Sequence, residues 1–89
     1  MGKLDGKTAL ITGASKGIGE GIARTFVKHG ARVVLAARGQ GVEDMAAQLR
    51  AEGAQAVAVR MDVSDMDSVR AGYEAGVKEF GQIDILVSN

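Results

Sequence analysis

The sequence predicts an α/β fold built on a parallel sheet, and three observations carry that expectation. Four short apolar runs occur, at residues 8–11, 33–37, 56–59 and 83–87. Each is nearly continuous rather than alternating, as expected of a strand buried on both faces. The segments between them have helical period, and a glycine-rich turn joins the first run to the first of these segments. Strand–helix alternation of this kind closes a parallel sheet through right-handed crossovers. The expected order is βαβαβαβ, as one domain over residues 1–89 without linker, repeat or low-complexity stretch.

The helical segments follow from spacing. Ile18, Ile22 and Phe26 stand four apart and share a face. Val42, Met45, Ala46 and Leu49 follow the i, i+3, i+4, i+7 pattern, and Met66, Val69, Tyr73, Val77 and Phe80 form a longer stripe. Gly30, Gly53 and Gly81 fall just past each pattern, where a left-handed residue ends a helix. Ser64, with Asp67 three residues on, has the spacing of a capping box that uses Asp in place of Glu. Gly72 and Gly76 lie inside the last helix, at a cost of about 1 kcal/mol each against Ala. The sequence offers no reason for them.

Composition narrows the function. The formal net charge is +0 and no basic stripe occurs, which argues against nucleic acid and anionic membrane as partners. No cysteine is present, so disulfides and thiolate metal sites are excluded, and a lone His29 builds no zinc site without carboxylates. His29 falls in the last turn of a helix, without a nucleophile or orienting carboxylate nearby in sequence, and no catalytic role is expected of it. The opening Met1-Gly2-Lys3-Leu4-Asp5 is polar where a secretory signal turns apolar, and Gly6 stands where a myristoylation site wants Ser or Thr. No apolar run approaches the roughly 20 residues of a membrane span. A cytoplasmic location is the expectation.

The strongest motif is Thr12-Gly13-Ala14-Ser15-Lys16-Gly17-Ile18-Gly19, which follows the first strand and opens the first helix. Gly13 permits the tight turn, Gly17 lets backbone approach a pyrophosphate, and Gly19 lets the helix approach the sheet. The helix N-terminus offers free N–H groups and a partial positive charge to an anion. The spacing is Gly-x-x-x-Gly-x-Gly, not Gly-x-Gly-x-x-Gly, and Lys16-Gly17 reverses the order a P-loop requires. The competing reading is a plain tight β–α turn.

This motif resembles the Thr-Gly-x-x-x-Gly-Ile-Gly of the short-chain dehydrogenase/reductase family. The similarity runs across all 89 residues. Residues 4–11 resemble the family's opening strand, Asp62-Val63 its adenine-contacting Asp-Val, and residues 83–87 the strand leading into its Asn-Asn-Ala-Gly. The resemblance implies a Rossmann-like doubly wound parallel sheet, here truncated after the fourth strand in the order 3-2-1-4. It further implies the NADP(H)-binding portion of an oxidoreductase that moves hydride between nicotinamide and a carbonyl or alcohol. The alternative is a non-catalytic dinucleotide-binding or self-associating module.

The resemblance also assigns cofactor-binding residues: Gly13, Ser15, Lys16, Gly17, Ile18, Gly19, Arg38, Asp62, Val63 and Asn89. NAD-specific members carry an acid at the end of the second strand, about 20 residues past the glycine turn. This chain has Ala37 there, with Arg38 next and Lys16 inside the turn. Two cations match positions where NADP-preferring members are basic, and a guanidinium binds a 2′-phosphate with two hydrogen bonds. NADP is therefore expected over NAD. Each cation alone also reads as an ordinary solvated charge. Asp62 would accept from the adenine amino group beside Val63; its other reading is a helper in capping the next helix. Asn89 matches the second Asn of Asn-Asn-Ala-Gly, while Ser88 departs from the first.

The family's Ser–Tyr–Lys arrangement places Tyr and Lys one helical turn apart, as Tyr-x-x-x-Lys. Tyr73 is the only tyrosine, and Lys78 lies five residues on. Five residues advance about 500° around a helix, so the two face different ways. Tyr73 is expected in the core. The resemblance thus implies that catalytic residues and substrate contacts lie beyond residue 89, that a small-molecule substrate belongs to a longer parent chain, and that this chain alone is inactive. The fourth strand would be an open apolar edge with Asp84 as its only charge, so homo-oligomers through that edge are expected.

Overall fold

All four apolar runs become parallel strands in the computed structural model, which describes residues 2–14, 17–39 and 41–89. The elements are β1 (Thr8–Thr12), α1 (Gly17–Lys28), β2 (Arg32–Ala37), α2 (Gly41–Ala51), β3 (Ala56–Arg60), α3 (Met66–Phe80) and β4 (Ile85–Val87). The sheet order is β3-β2-β1-β4. β1 is the hub: Leu10 pairs with Val34 on one side and Leu86 on the other. It is buried at all five positions, which its unbroken apolar run anticipates.

Successive strand residues point to opposite faces, and the core divides accordingly. Ala9, Ile11, Val33 and Leu35 pack with Ala23 of α1 and with Val42, Met45, Ala46 and Leu49 of α2. Leu10, Val34, Ala36 and Met61 form the opposite layer, against Val69 and Phe80 of α3 and against Ile83. Each fully buried Leu, Ile or Val contributes about 1.5–3 kcal/mol through removal of apolar area from water.

Gly72 and Gly76 now have a reason. They are the buried residues of α3. A Cβ at Gly72 would run into Met61 Cε, and one at Gly76 would lie 3.1 Å from both Val34 Cγ2 and Ile83 Cδ1. The helix backbone therefore seats directly on the sheet along this pair. Val69 and Phe80 of the stripe stay against the core, but Tyr73 is 45% and Met66 72% exposed. Tyr73 is thus not a core residue. Ile18 likewise leaves the face it was expected to share with Ile22 and Phe26 and stands exposed.

The α3 cap also differs from expectation. Asp65, not Ser64, is the N-cap, and its carboxylate accepts from the N–H groups of Asp67 and Ser68. Ser64 instead donates to Asp62. Gly81 closes the helix with φ 86°, as its position predicts.

β4 begins at Ile85, two residues into the run 83–87, and Asp84 just before it bonds to the first residue of β1. Its Oδ2 accepts from Thr8 N–H at 2.9 Å and from the Gln82 amide at 2.7 Å, while its own N–H donates to Thr8 O at 2.8 Å. The charge turns inward to β1 and does not guard the free edge of β4. The Thr8 N–H, then Gln82, hold the Asp84 carboxyl below the usual carboxylate range.

Candidate functional site

In a parallel sheet every strand delivers its carboxyl end to the same side. Thr12 and Gly13 after β1, Ala37 and Arg38 at β2, Met61, Asp62, Val63 and Ser64 after β3, and Asn89 after β4 thereby line one open cleft of about 390 Å³. Of the expected binding residues, Gly13, Arg38, Asp62, Val63 and Asn89 meet here. Gly17, Ile18 and Gly19 form the first turn of α1 and do not line the cleft. Ser15 and Lys16 lie outside the described residues. Thr12, Met61 and Ser64 also line the cleft and were not foreseen. Thr12 leads the glycine motif, which was a signal in plain view.

Gly13 and Gly17 have φ of 62° and 64°, a region that side chains rarely tolerate. Among the described residues, a Cβ at Gly17 would meet nothing within 4 Å. Gly19 is the opposite case. A Cβ there would strike the Gly13 carbonyl and lie 2.8 Å from Asn89 Nδ2. Close helix–turn approach thus depends on this glycine.

Asn89 ties the turn to β4. Its N–H donates to Thr12 Oγ1 at 3.1 Å and its side-chain amide donates to Gly13 O at 3.1 Å. Thr12 Oγ1 in turn donates to Val87 O at 3.3 Å. These bonds hold the ends of the two adjacent strands together at the mouth of the cleft.

Asp62 is held at its backbone and at one carboxylate oxygen. Its N–H donates to Ser68 Oγ at 2.9 Å and its carbonyl accepts from Asp65 N–H at 3.0 Å. Its Oδ1 accepts from Ser64 Oγ at 2.6 Å and from Ser64 N–H at 3.0 Å. The Ser64 hydroxyl, then the Ser64 N–H, hold the carboxyl below its ordinary range, and Arg38 adds a smaller attraction. Asp62 is therefore an acceptor at neutral pH. It does not cap α3, since Asp65 does.

Among the described residues, no group of three or more His, Cys, Asp or Glu could hold a metal ion. No described helix is long and apolar enough to cross a membrane.

Comparison with known proteins agrees with this geometry. Residues 7–89 match the family model described as short chain dehydrogenase. The chain is 52% identical over 89 residues to the oxidoreductase UcpA of Salmonella typhimurium, covering all of this chain and 34% of that protein. Its structure is similar to a short chain dehydrogenase/reductase from Burkholderia phymatum in complex with NAD (TM-score 0.90, 37% identity, 97% of this chain and 31% of that one). It is also similar to an actinorhodin polyketide ketoreductase with NADPH (TM-score 0.90, 39% identity, 100% of this chain and 34% of that one). The chain spans about a third of the length of these relatives. The matched model, the four-stranded parallel order and the glycine turn at its switch point together place the chain in the short-chain dehydrogenase family.

Proposed function

We propose that this chain binds a nicotinamide dinucleotide across the carboxyl ends of its strands, NADP(H) in preference to NAD(H), as the cofactor-binding portion of an oxidoreductase. The observation that carries the reading is the convergence of the Gly13 turn, Arg38, Asp62 and Asn89 on one cleft beside β1. The residues fit the group. The backbone at Gly17 and the N-terminus of α1 suit a pyrophosphate. Arg38 and Lys16 suit a 2′-phosphate, with Ala37 leaving no carboxylate to repel it. The second oxygen of Asp62, which takes no bond from the described residues, suits the adenine amino group, and exposed Val63 suits its ring. Asn89 acts by holding the turn, Gly19 by letting α1 close on it, and Ser15 and Ile18 flank the same anion position in sequence.

When bound, the nicotinamide supplies the hydride that a carbonyl accepts, or takes one from an alcohol. Tyr73 and Lys78 contribute no acid to that step, because they are spaced for different faces of α3. Structural relatives carry NAD in one case and NADPH in another. Preference is therefore decided by titrating both cofactors at one fixed salt concentration. NADP(H) should bind about tenfold more tightly, as one charge-assisted pair supports. Arg38→Asp should erase or reverse the preference, and equal affinities in the unmodified chain would sink it.

We further propose that two copies pair through β4. Its outer edge has no strand neighbour among the described residues, and Leu86, Met66 and Val63 lie exposed on or near it. Twofold pairing would be antiparallel and would continue the sheet across both chains. Light scattering should report a dimer at micromolar concentration. Leu86→Pro, with the fold checked by circular dichroism, should return monomers; a dimer that persists would exclude this edge.

A further inference from the structure

We infer that Ser64 is a positioning residue that makes the cleft selective for a 6-amino purine over a 6-oxo purine. The inference rests on the reading that Asp62 faces the adenine. A carboxylate free to turn about its last torsion offers either oxygen to any donor and accepts a proton readily. Asp62 is denied that freedom. Both Ser64 donors converge on Oδ1, at 2.6 and 3.0 Å, while Ser68 and Asp65 hold its backbone. Oδ2, which takes no bond from the described residues, is left as the available acceptor in a cleft that Asp62 and Ser64 line together. A 6-amino group donates to such an oxygen, whereas a 6-oxo group brings a second acceptor against a fixed anion. Because Asp65 caps α3, the Ser64 hydroxyl can be removed without uncapping the helix. Ser64 is itself exposed, so a smaller side chain leaves no cavity.

The probes are NADP⁺ and its deamino analogue, in which a 6-oxo group and an N1–H replace the 6-amino group and the bare N1, titrated onto the 89-residue chain by calorimetry. The unmodified chain should favour the 6-amino form about tenfold, the worth of one hydrogen bond to a charged group. Ser64→Ala should bring the ratio within about threefold by weakening the 6-amino form alone, and Ser64→Thr should restore it. A ratio unchanged in Ser64→Ala, or equal weakening of both forms, overturns the role of Ser64 and leaves the Asp62 reading standing. Equal binding of the two forms by the unmodified chain overturns the Asp62 reading and this inference with it. No binding of either overturns the dinucleotide reading as a whole.

Discussion

On the α1–α2 side of the sheet, two helices close over β1, β2 and β3, and eleven described residues form a buried layer from Ala9 to Ala56. On the α3 side a single helix seats through Gly72 and Gly76, and the fully buried layer is Leu10, Val34, Ala36 and Met61. Beyond it Leu10, Thr12, Val63, Met66, Tyr73 and Leu86 line an apolar groove of about 270 Å³ that opens to solvent. The same strands serve both faces, so the difference does not come from strand propensity. It comes from how many helices cover each face and how closely they approach. Cohesion is concentrated on one side, and the cleft sits on the rim between the two.

The sharpest way to break this comparison is to empty one position on each face. Leu49→Ala, at a site 1% exposed on α2, should cost about 3 kcal/mol through lost transfer energy and a residual cavity. In the monomer, Leu86→Ser, at a site 65% exposed, should change stability by less than about 0.5 kcal/mol. Urea unfolding curves at equal concentration measure both; comparable losses would mean that the two faces hold equally.

A smaller effect separates the two glycines of α3. Ala gains about 1 kcal/mol over Gly in a helix interior. At Gly76 the new methyl presses on Val34, which is wholly buried and has nowhere to move, and on Ile83. Gly76→Ala should therefore destabilise by about 1 kcal/mol net. At Gly72 the obstacle is the far end of the flexible Met61 side chain, and Gly72→Ala should be close to neutral. A gain in stability at Gly76 would show that the helix can lift from the sheet at no cost.

Acid offers the gentlest probe. The Asp84 clasp lowers its carboxyl below the unfolded value, so its contribution is fully present above the ordinary aspartate range. It is lost as pH falls below about 4 toward the folded value. The urea midpoint should drop between pH 6 and pH 3, and Asp84→Asn should flatten part of that slope. A slope identical in the variant would remove Asp84 from the account.

The sheet was legible because its strands are short, nearly unbroken apolar runs alternating with helical periods. That Gly13, Arg38 and Asp62 meet at one end of the sheet was legible because each follows one of these runs. What escaped depended on tertiary approach. Gly72 and Gly76 look like errors in a helix until Met61 and Val34 are seen beneath them. Tyr73, which periodicity alone places inside, stands exposed. Ser64 and Asp65 are adjacent residues of similar capping ability, and only their side-chain bonds, Ser64 to Asp62 and Asp65 to the N–H groups of Asp67 and Ser68, tell the two apart.

Asn89 has a consequence for the order of assembly. It reaches the turn across 76 residues of chain, whereas β1 meets β2 across 24, from Thr8 to Arg32. Closing the longer loop costs about 1 kcal/mol more in chain entropy, since that cost grows with the logarithm of length. The junction of β4 with β1, the mouth of the cleft included, is therefore formed with the greatest loss of freedom. A chain whose β4 has detached keeps β1, β2 and β3 under α1 and α2, and has lost the clasp on Gly13. Affinity for a ligand at that turn would then report the docking of β4 more sensitively than any measure of helix content.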